Sequence, residues 1–182
     1  MIIEIGSSAR RQLEAIMHSA ARQAGAASSG NANSDNTRSS RVVVACPHCH
    51  TLVRVPKDRL GDNPTCAKCK SAVVTGQPIA LDAQAFETHT RRSDLPVLVD
   101  FWAEWCGPCR AMSPVLERFA SERSTQLQVG KVNTDENQQL AGGLGIRSIP
   151  TLILFRGGKE VARRSGSSDL GSLNRWVDQA LS

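Results

Sequence analysis

The most informative segment of the chain reads Val99-Asp100-Phe101-Trp102-Ala103-Glu104-Trp105-Cys106-Gly107-Pro108-Cys109. It overlaps an apolar run at 96–103 that is interrupted only by Asp100, as expected for a strand buried on both faces. Proline fits the first turn of a helix, where no backbone donor is needed. A helix should therefore begin at the cysteines and continue to about Arg123, bent near Pro114. The segment predicts a buried strand that turns directly into a helix at a Cys-x-x-Cys pair.

The two cysteines of this segment are placed for thiol–disulfide exchange. A thiolate is the nucleophile in that reaction, and Cys106 lies at the predicted helix N-terminus, where free amides and the helix dipole favour negative charge. Cys109 follows about one turn later, close enough to attack a mixed disulfide on Cys106, and Gly107 lets a partner backbone approach. A lone Asp100 is costly to bury. Lys131 is available as its partner, so a paired core carboxylate is the alternative to a functional one.

The remainder of the C-terminal part alternates between strand and helix patterns. A Gly157-Gly158 turn signal separates the last two strand patterns, and Asp169 can cap a final helix. Besides the strand and helix described above, we predict strands at 79–81, 127–132, 150–156 and 160–165, and helices at 83–92, 136–144 and 169–181. This order predicts an α/β fold in which helices cover a central mixed sheet.

From about residue 78 to its end, the chain resembles thioredoxins through the segment quoted above and through Ser148-Ile149-Pro150-Thr151. The resemblance implies a thioredoxin fold and a protein-disulfide reductase in which Cys106 attacks and Cys109 resolves the mixed disulfide. It also implies that Asp100, with Lys131 as its neighbour, takes part in moving the proton of Cys109.

The same resemblance implies a client-binding surface beside the cysteine pair. Pro150 matches the family's cis-proline, and the backbone of Ile149 would pair with an extended client segment, a mode compatible with many client sequences. Gly166 matches a small residue that lines the same groove. The implied substrate-binding residues are Trp105, Gly107, Pro108, Ile149, Pro150 and Gly166.

A second set of cysteines lies upstream, in a segment without aromatic residues. Its members follow the pattern Cys-x2-Cys-x16-Cys-x2-Cys, a zinc-ribbon spacing; they are Cys46, Cys49, Cys66 and Cys69. Four thiolates would enclose one structural zinc ion, whose binding energy would help so small a segment to fold. Two alternatives stay open. The Pro47-His48 dipeptide is also that of a periplasmic disulfide oxidase, although a strand pattern follows it, and His48 or His50 could replace a cysteine ligand.

Charge and aromatic content divide the chain. The net charge is +5 at pH 7, and its excess lies before residue 77, whereas all three Trp and four Phe lie between Phe86 and Trp176. We predict a flexible or weakly helical N-terminal extension at 1–41, a zinc-ribbon domain at 42–76 and a thioredoxin domain at 77–182. Because the extension is amphipathic and contains several arginines, an organelle transit peptide is the alternative, and a misassigned start codon would also explain it.

The sequence also bears on compartment and partners. No apolar run approaches the ~20 residues of a membrane span, and the N-terminus lacks the apolar stretch of a secretion signal. We therefore expect a cytoplasmic protein with no membrane partner. The modest charge and the lack of stacking aromatics in the ribbon predict no nucleic-acid partner. We expect His18 and His89 to be surface residues.

The two cysteine systems together resemble the zinc-containing bacterial thioredoxins of the thioredoxin 2 type, over about residues 42–182. That resemblance implies a general protein-disulfide reductase in cell redox homeostasis and oxidative-stress defence. It implies reduction by an NADPH-dependent thioredoxin reductase, and clients such as ribonucleotide reductase and peroxide-defence enzymes. We expect a monomer with one structural zinc ion and no bound organic cofactor. The alternatives are a disulfide oxidase or isomerase, and a zinc-dependent binding or holdase module.

Overall fold

Two β-sheets organise residues 40–182, which the computed structural model describes. The elements in chain order are β1 (Arg41–Ala45), β2 (Leu52–Pro56), a 3-10 turn (Lys57–Arg59), β3 (Ile79–Ala80), α1 (Ala83–Arg92), β4 (Val97–Trp102), α2 (Gly107–Glu122), β5 (Gln128–Asn133), α3 (Gln138–Gly143), β6 (Thr151–Arg156), β7 (Lys159–Ser165) and α4 (Leu170–Leu181). Residues 1–39 of the predicted extension, including His18, lie outside the described residues. Every strand and helix predicted from residue 79 onwards is present, with ends shifted by at most two residues.

The larger sheet has five strands in the order β3-β5-β4-β6-β7. Strands β3, β5 and β4 are parallel, whereas β6 and β7 are antiparallel additions at one side. Gly157 and Gly158 join β6 to β7 with φ angles of 56° and 79°, as the hairpin turn requires. The predicted thioredoxin fold, with its central mixed sheet, is confirmed.

Helices cover both faces of this sheet because successive strand residues point to opposite sides. One face packs against α2 and α4, through Leu98, Met112, Leu116, Phe119, Leu173 and Val177. The other face packs against α1, through Phe86, Val97, Val99 and Phe101. Asp100 points to the same side as Leu98, so its carboxylate lies beneath α2, the helix that carries the cysteine pair. Within residues 40–182, no helix is both long and apolar enough to cross a membrane.

The smaller sheet is a hairpin in which β1 and β2 pair antiparallel, with Ala45 opposite Leu52. The turn between the strands holds the first cysteine pair, and a Thr65–Ala72 bridge closes the loop that holds the second. Its small core also includes Leu95, which precedes β4. The described residues form one compact unit. The smaller sheet and its two cysteine loops, residues 42–76, which we call the ribbon, therefore pack against the larger sheet.

The expectation that His89 is a surface residue is wrong. His89 is fully buried and lies three and four residues after Phe86 and Ala85, on the buried stripe of α1. The ribbon covers this end of the helix, and the imidazole of His50 lies against that of His89. The burial of this polar residue is thus explained by the partner packed on it.

Candidate active site and metal centre

Cys106 and Cys109 form a disulfide at the N-terminus of α2, with their Cα atoms 5.3 Å apart. Cys106 is the N-cap residue, and its Sγ accepts a hydrogen bond from the backbone N–H of Cys109 at 3.2 Å. The Cys106 sulfur therefore lies where unpaired amides and the helix dipole stabilise negative charge. Once the disulfide is reduced, this sulfur is the better placed of the two to persist as a thiolate.

An exposed surface surrounds the disulfide. Trp105 is 69% exposed, and its indole Nε1–H donates to Asp135 at 2.9 Å, which fixes the ring. Gly107 is exposed, and a β-carbon added there would meet nothing within 4 Å. Pro108 is exposed beside it. A second protein chain can therefore approach this edge of the disulfide closely.

The other side of this surface comes from the start of β6. Thr151 lies opposite Phe101, so β6 begins at the sheet edge where β4 ends. The Ile149–Pro150 bond is cis, as the resemblance implies. Gly166 has a φ of 88° and donates its N–H to the carbonyl of Pro150 at 2.8 Å. The structure thus brings Pro150 and Gly166 together.

Asp100 is a buried carboxylate without a hydrogen-bond partner. It is fully buried, and neither carboxylate oxygen is hydrogen bonded. Burial raises the pKa of Asp100 to about 6, and the charge of Lys131 partly opposes this rise. The carboxylate can therefore change protonation state near neutral pH.

Lys131 is the cross-strand neighbour of Asp100 but is not hydrogen bonded to it. The two residues are register partners on β5 and β4. The Lys131 ammonium donates instead to Ser113 Oγ at 2.9 Å and lies 4.5 Å from the ring centroid of Trp102. The structure therefore does not show the alternative, a core carboxylate paired directly with Lys131. Ser113 of α2 and the ring of Trp102 contact the ammonium instead.

The four upstream cysteines converge on one point. Their sulfur atoms all lie within 4.8 Å of one another, with Cys46 and Cys69 at 3.6 Å and Cys49 and Cys66 at 3.7 Å. Tetrahedral zinc with Zn–S bonds of about 2.3 Å requires sulfurs about 3.8 Å apart. The cysteines therefore fit a zinc ion. Within residues 40–182, neither His48 nor His50 belongs to this cluster.

The two cysteine pairs form two similar knuckles, which we call the first knuckle (Cys46–Cys49) and the second knuckle (Cys66–Cys69). Hydrogen bonds with Thr51 lower the pKa of Cys49 to about 6, and hydrogen bonds with Ser71 lower the pKa of Cys69. Burial raises the pKa of Cys46 to about 12, so a thiolate there needs a cation beside it. A divalent ion would supply that charge.

Comparison with known proteins agrees with both sites. The family model described as Thioredoxin matches residues 77–179, and the model described as Thioredoxin 2, N-terminal matches residues 45–71. A protein named Thioredoxin C-3 from Corynebacterium nephridii is 39% identical over 140 residues, which cover 77% of this chain and 96% of that protein. The chain belongs to the thioredoxin family.

Other thioredoxins support the assignment. Thioredoxin 1 of Nostoc sp. is 47% identical over 96 residues, which cover 53% of this chain and 90% of that protein. A mutant thioredoxin from Halobacterium salinarum has a similar structure, with a TM-score of 0.54 and 35% identity, covering 59% of this chain and 93% of that one. This member of the thioredoxin family is a thiol–disulfide oxidoreductase, a protein-disulfide reductase with a Cys-x-x-Cys active site. Membership implies a thioredoxin reductase and client proteins as partners.

The sequence did not predict the residues that hold Trp105, Lys131 and His89 in place. Asp135 holds Trp105, Ser113 holds Lys131, and Gln128 holds His89. Ser113 had a usable signal, because it follows Cys109 by four residues and so lies on the same face of α2. The other two contacts join segments that are distant in sequence, and no local pattern predicts them.

Proposed function

We propose that this thioredoxin reduces disulfides in many client proteins through the Cys106–Cys109 dithiol. The Cys106 thiolate attacks one sulfur of a client disulfide, so that a bond forms between them while the client S–S bond breaks. The client's other sulfur leaves as a thiolate. The N-terminus of α2, where Cys109 N–H points at the Cys106 sulfur, supports this step because it stabilises the attacking thiolate.

We further propose that Cys109 completes the reaction with help from Asp100. The Cys109 thiol gives its proton to the Asp100 carboxylate and attacks Cys106 Sγ. The intramolecular disulfide forms, the mixed disulfide breaks, and the client leaves as its second thiolate with two added electrons. A carboxylate whose pKa is about 6 suits this proton transfer near neutral pH. Lys131, whose charge lowers that pKa, is proposed to tune it.

Clients are proposed to dock on the surface around the disulfide. Its apolar part is the exposed Trp105 together with Gly107 and Pro108, and its backbone part is Ile149, which precedes the cis-proline Pro150. An extended client segment adding alongside Ile149 would use backbone hydrogen bonds, which every sequence can form. Gly166 has no side chain, and a β-carbon there would meet nothing within 4 Å, so this groove stays open and general rather than narrow client choice follows.

The four-cysteine cluster is proposed to hold one structural zinc ion, in a ribbon domain at 42–76 that precedes a thioredoxin domain at 77–182. Four thiolates leave no open coordination position, so the ion would supply folding energy rather than chemistry. Cys46 and Cys66 belong to the ribbon core, which supports this structural role. Loss of the ion would therefore unfold the ribbon.

The proposed biological setting follows from the resemblance of both parts to zinc-containing thioredoxins. An NADPH-dependent thioredoxin reductase would return the oxidised pair to the dithiol. Ribonucleotide reductase and peroxide-defence enzymes are the proposed clients, and the cytoplasm is the proposed compartment. The protein would act there as a monomer in redox homeostasis and oxidative-stress defence.

The single observation that carries this proposal is the Cys106–Cys109 disulfide at the N-terminus of α2. Trapping a client tests it. Reduced Cys109→Ser protein, mixed with a disulfide substrate such as insulin, should accumulate a mixed disulfide at Cys106 that peptide mass spectrometry locates. Cys106→Ser is the matched control and should form no adduct at Cys109.

Two outcomes would contradict the proposal. Adducts of equal yield in both variants would remove the distinction between attacking and resolving thiols. Full client reduction by Cys106→Ser would show that the redox pair is secondary, and a zinc-dependent binding or holdase module would then be the better description.

A further inference from the structure

The two knuckles of the ribbon are built alike, which makes their differences informative. In each knuckle, the residue after the second cysteine donates its backbone N–H to the first cysteine's carbonyl. His50 N lies 3.0 Å from Cys46 O, and Lys70 N lies 2.8 Å from Cys66 O. Both residues adopt a positive φ, 56° for His50 and 64° for Lys70. His50 and Lys70 therefore occupy equivalent positions.

The side chains at these two positions have different surroundings. Lys70 is exposed, whereas His50 is half-buried, with its Nδ1 3.1 Å from Nε2 of His89 on α1. His89 Nδ1 lies 2.9 Å from Gln128 Oε1 on β5. Gln128 Nε2 in turn donates to the carbonyl of Ala45 at 2.9 Å. This chain of hydrogen bonds therefore runs from His50, the residue after the first knuckle, to Ala45, the residue before it.

The direction of every hydrogen bond in this chain is determined. The Ala45 carbonyl can only accept, so the Gln128 amide nitrogen faces it and Gln128 Oε1 faces His89. His89 must then donate through Nδ1. Burial lowers the pKa of His89 to about 4, so the ring is neutral at pH 7 and accepts through Nε2 from His50 Nδ1–H. Each polar group in this chain is satisfied by the next.

We propose that His89 and Gln128 are positioning residues for the zinc site, although both belong to the proposed thioredoxin domain. They hold Ala45 and His50, which flank the first knuckle, and thereby fix the two sulfurs of that knuckle for the metal. Removing groups that orient metal ligands commonly weakens metal binding by about 10- to 100-fold. The inference rests on the proposed zinc ion and not on the proposed reduction of clients.

The equivalence of His50 and Lys70 supplies a matched test. Zinc affinity of the reduced full-length protein is measured by competition with a chromogenic chelator, for wild type, His50→Ala and Lys70→Ala. Both substitutions place alanine at a left-handed position, so their backbone cost is the same. We expect His50→Ala to bind zinc at least about 10-fold more weakly and Lys70→Ala to stay within about two-fold of wild type.

Simple electrostatics predicts the opposite order. Zinc with four thiolates carries a charge of about −2, so removal of the Lys70 cation should weaken binding more than removal of an imidazole. An equal or larger loss for Lys70→Ala would therefore overturn the proposal, as would an unchanged affinity in His50→Ala. Failure of the wild type to bind zinc would instead refute the zinc site, while leaving the redox proposal intact.

A double variant tests whether the residues act as one chain. His89→Leu alone should weaken zinc binding, and adding His50→Ala should weaken it no further, because the same hydrogen bond is already lost. Losses that multiply would contradict a shared role. Cooperative unfolding of His89→Leu checks that this variant folds; if it does not, the comparison of His50→Ala with Lys70→Ala decides.

Discussion

Replacing Asp100 by Asn should stabilise the oxidised protein at neutral pH. The native carboxylate has no hydrogen-bond partner in a fully buried position, and burial raises its pKa from 3.8 to about 6. At 1.36 kcal/mol for each pH unit, this rise corresponds to about 3 kcal/mol of destabilisation once the group is ionised. The Asn side chain carries no charge and avoids this cost.

The sign of the pH dependence follows from proton binding. Between pH 3.8 and about 6, the unfolded chain has lost the Asp100 proton while the folded protein keeps it. Wild-type stability therefore falls as the pH rises through this window, and the full cost is present above it. Below pH 3.8 both states are protonated, and the advantage of Asp100→Asn that is due to charge disappears.

Urea unfolding of both oxidised proteins, followed by tryptophan fluorescence at pH 3.5 and pH 7.5, measures this effect. The stability difference between variant and wild type should be larger by about 3 kcal/mol at pH 7.5. Taking the difference cancels any loss of the proposed zinc ion that acid causes in both proteins. Lys131→Met should move the upper end of the window to higher pH, because Lys131 lowers the pKa of Asp100 in the folded protein. A difference that is the same at both pH values would refute the reasoning.

Three further predictions follow from the packing, the groove and the ribbon. Phe119→Ala, which empties a fully buried position on the sheet-facing side of α2, should cost about 3–5 kcal/mol in urea unfolding. Gly166→Ala places a β-carbon at a φ of 88°; it should cost about 1 kcal/mol or more in the same assay and raise the KM for client reduction. Removing the proposed zinc ion with a chelator should abolish the hydrogen-exchange protection of the β1 and β2 amides while protection in β4 persists, because the four clustered cysteines belong to the ribbon core and not to the core around β4. Equal loss of protection in both sheets would contradict this account.

The sequence was most informative where chemistry and local pattern coincide. The helix start at the cysteine pair was predictable because Pro108 and the preceding apolar strand both indicate it. The burial of Asp100 followed from its place in that strand. The four-cysteine cluster followed from cysteine spacing, because two knuckles joined by a short segment can close one tetrahedron.

The remainder depended on how separate segments pack. The partner of the Lys131 ammonium is Ser113 rather than Asp100, since the rotation of α2 over the sheet determines which side chain it meets. The burial of His89 required the ribbon to cover α1, and nothing within residues 83–92 encodes that contact. Such contacts arise from tertiary packing, which hydrophobic periodicity does not predict.

The equilibrium reduction potential of the Cys106–Cys109 pair tests the central claim most directly. Zinc-loaded protein is equilibrated in glutathione or dithiothreitol buffers, and the oxidised fraction is read from tryptophan fluorescence and checked by thiol alkylation. A protein-disulfide reductase should have a potential at or below the cytosolic glutathione range of about −220 to −260 mV. A potential near about −120 mV, typical of a strong disulfide oxidant, would contradict the claim and favour an oxidase or isomerase.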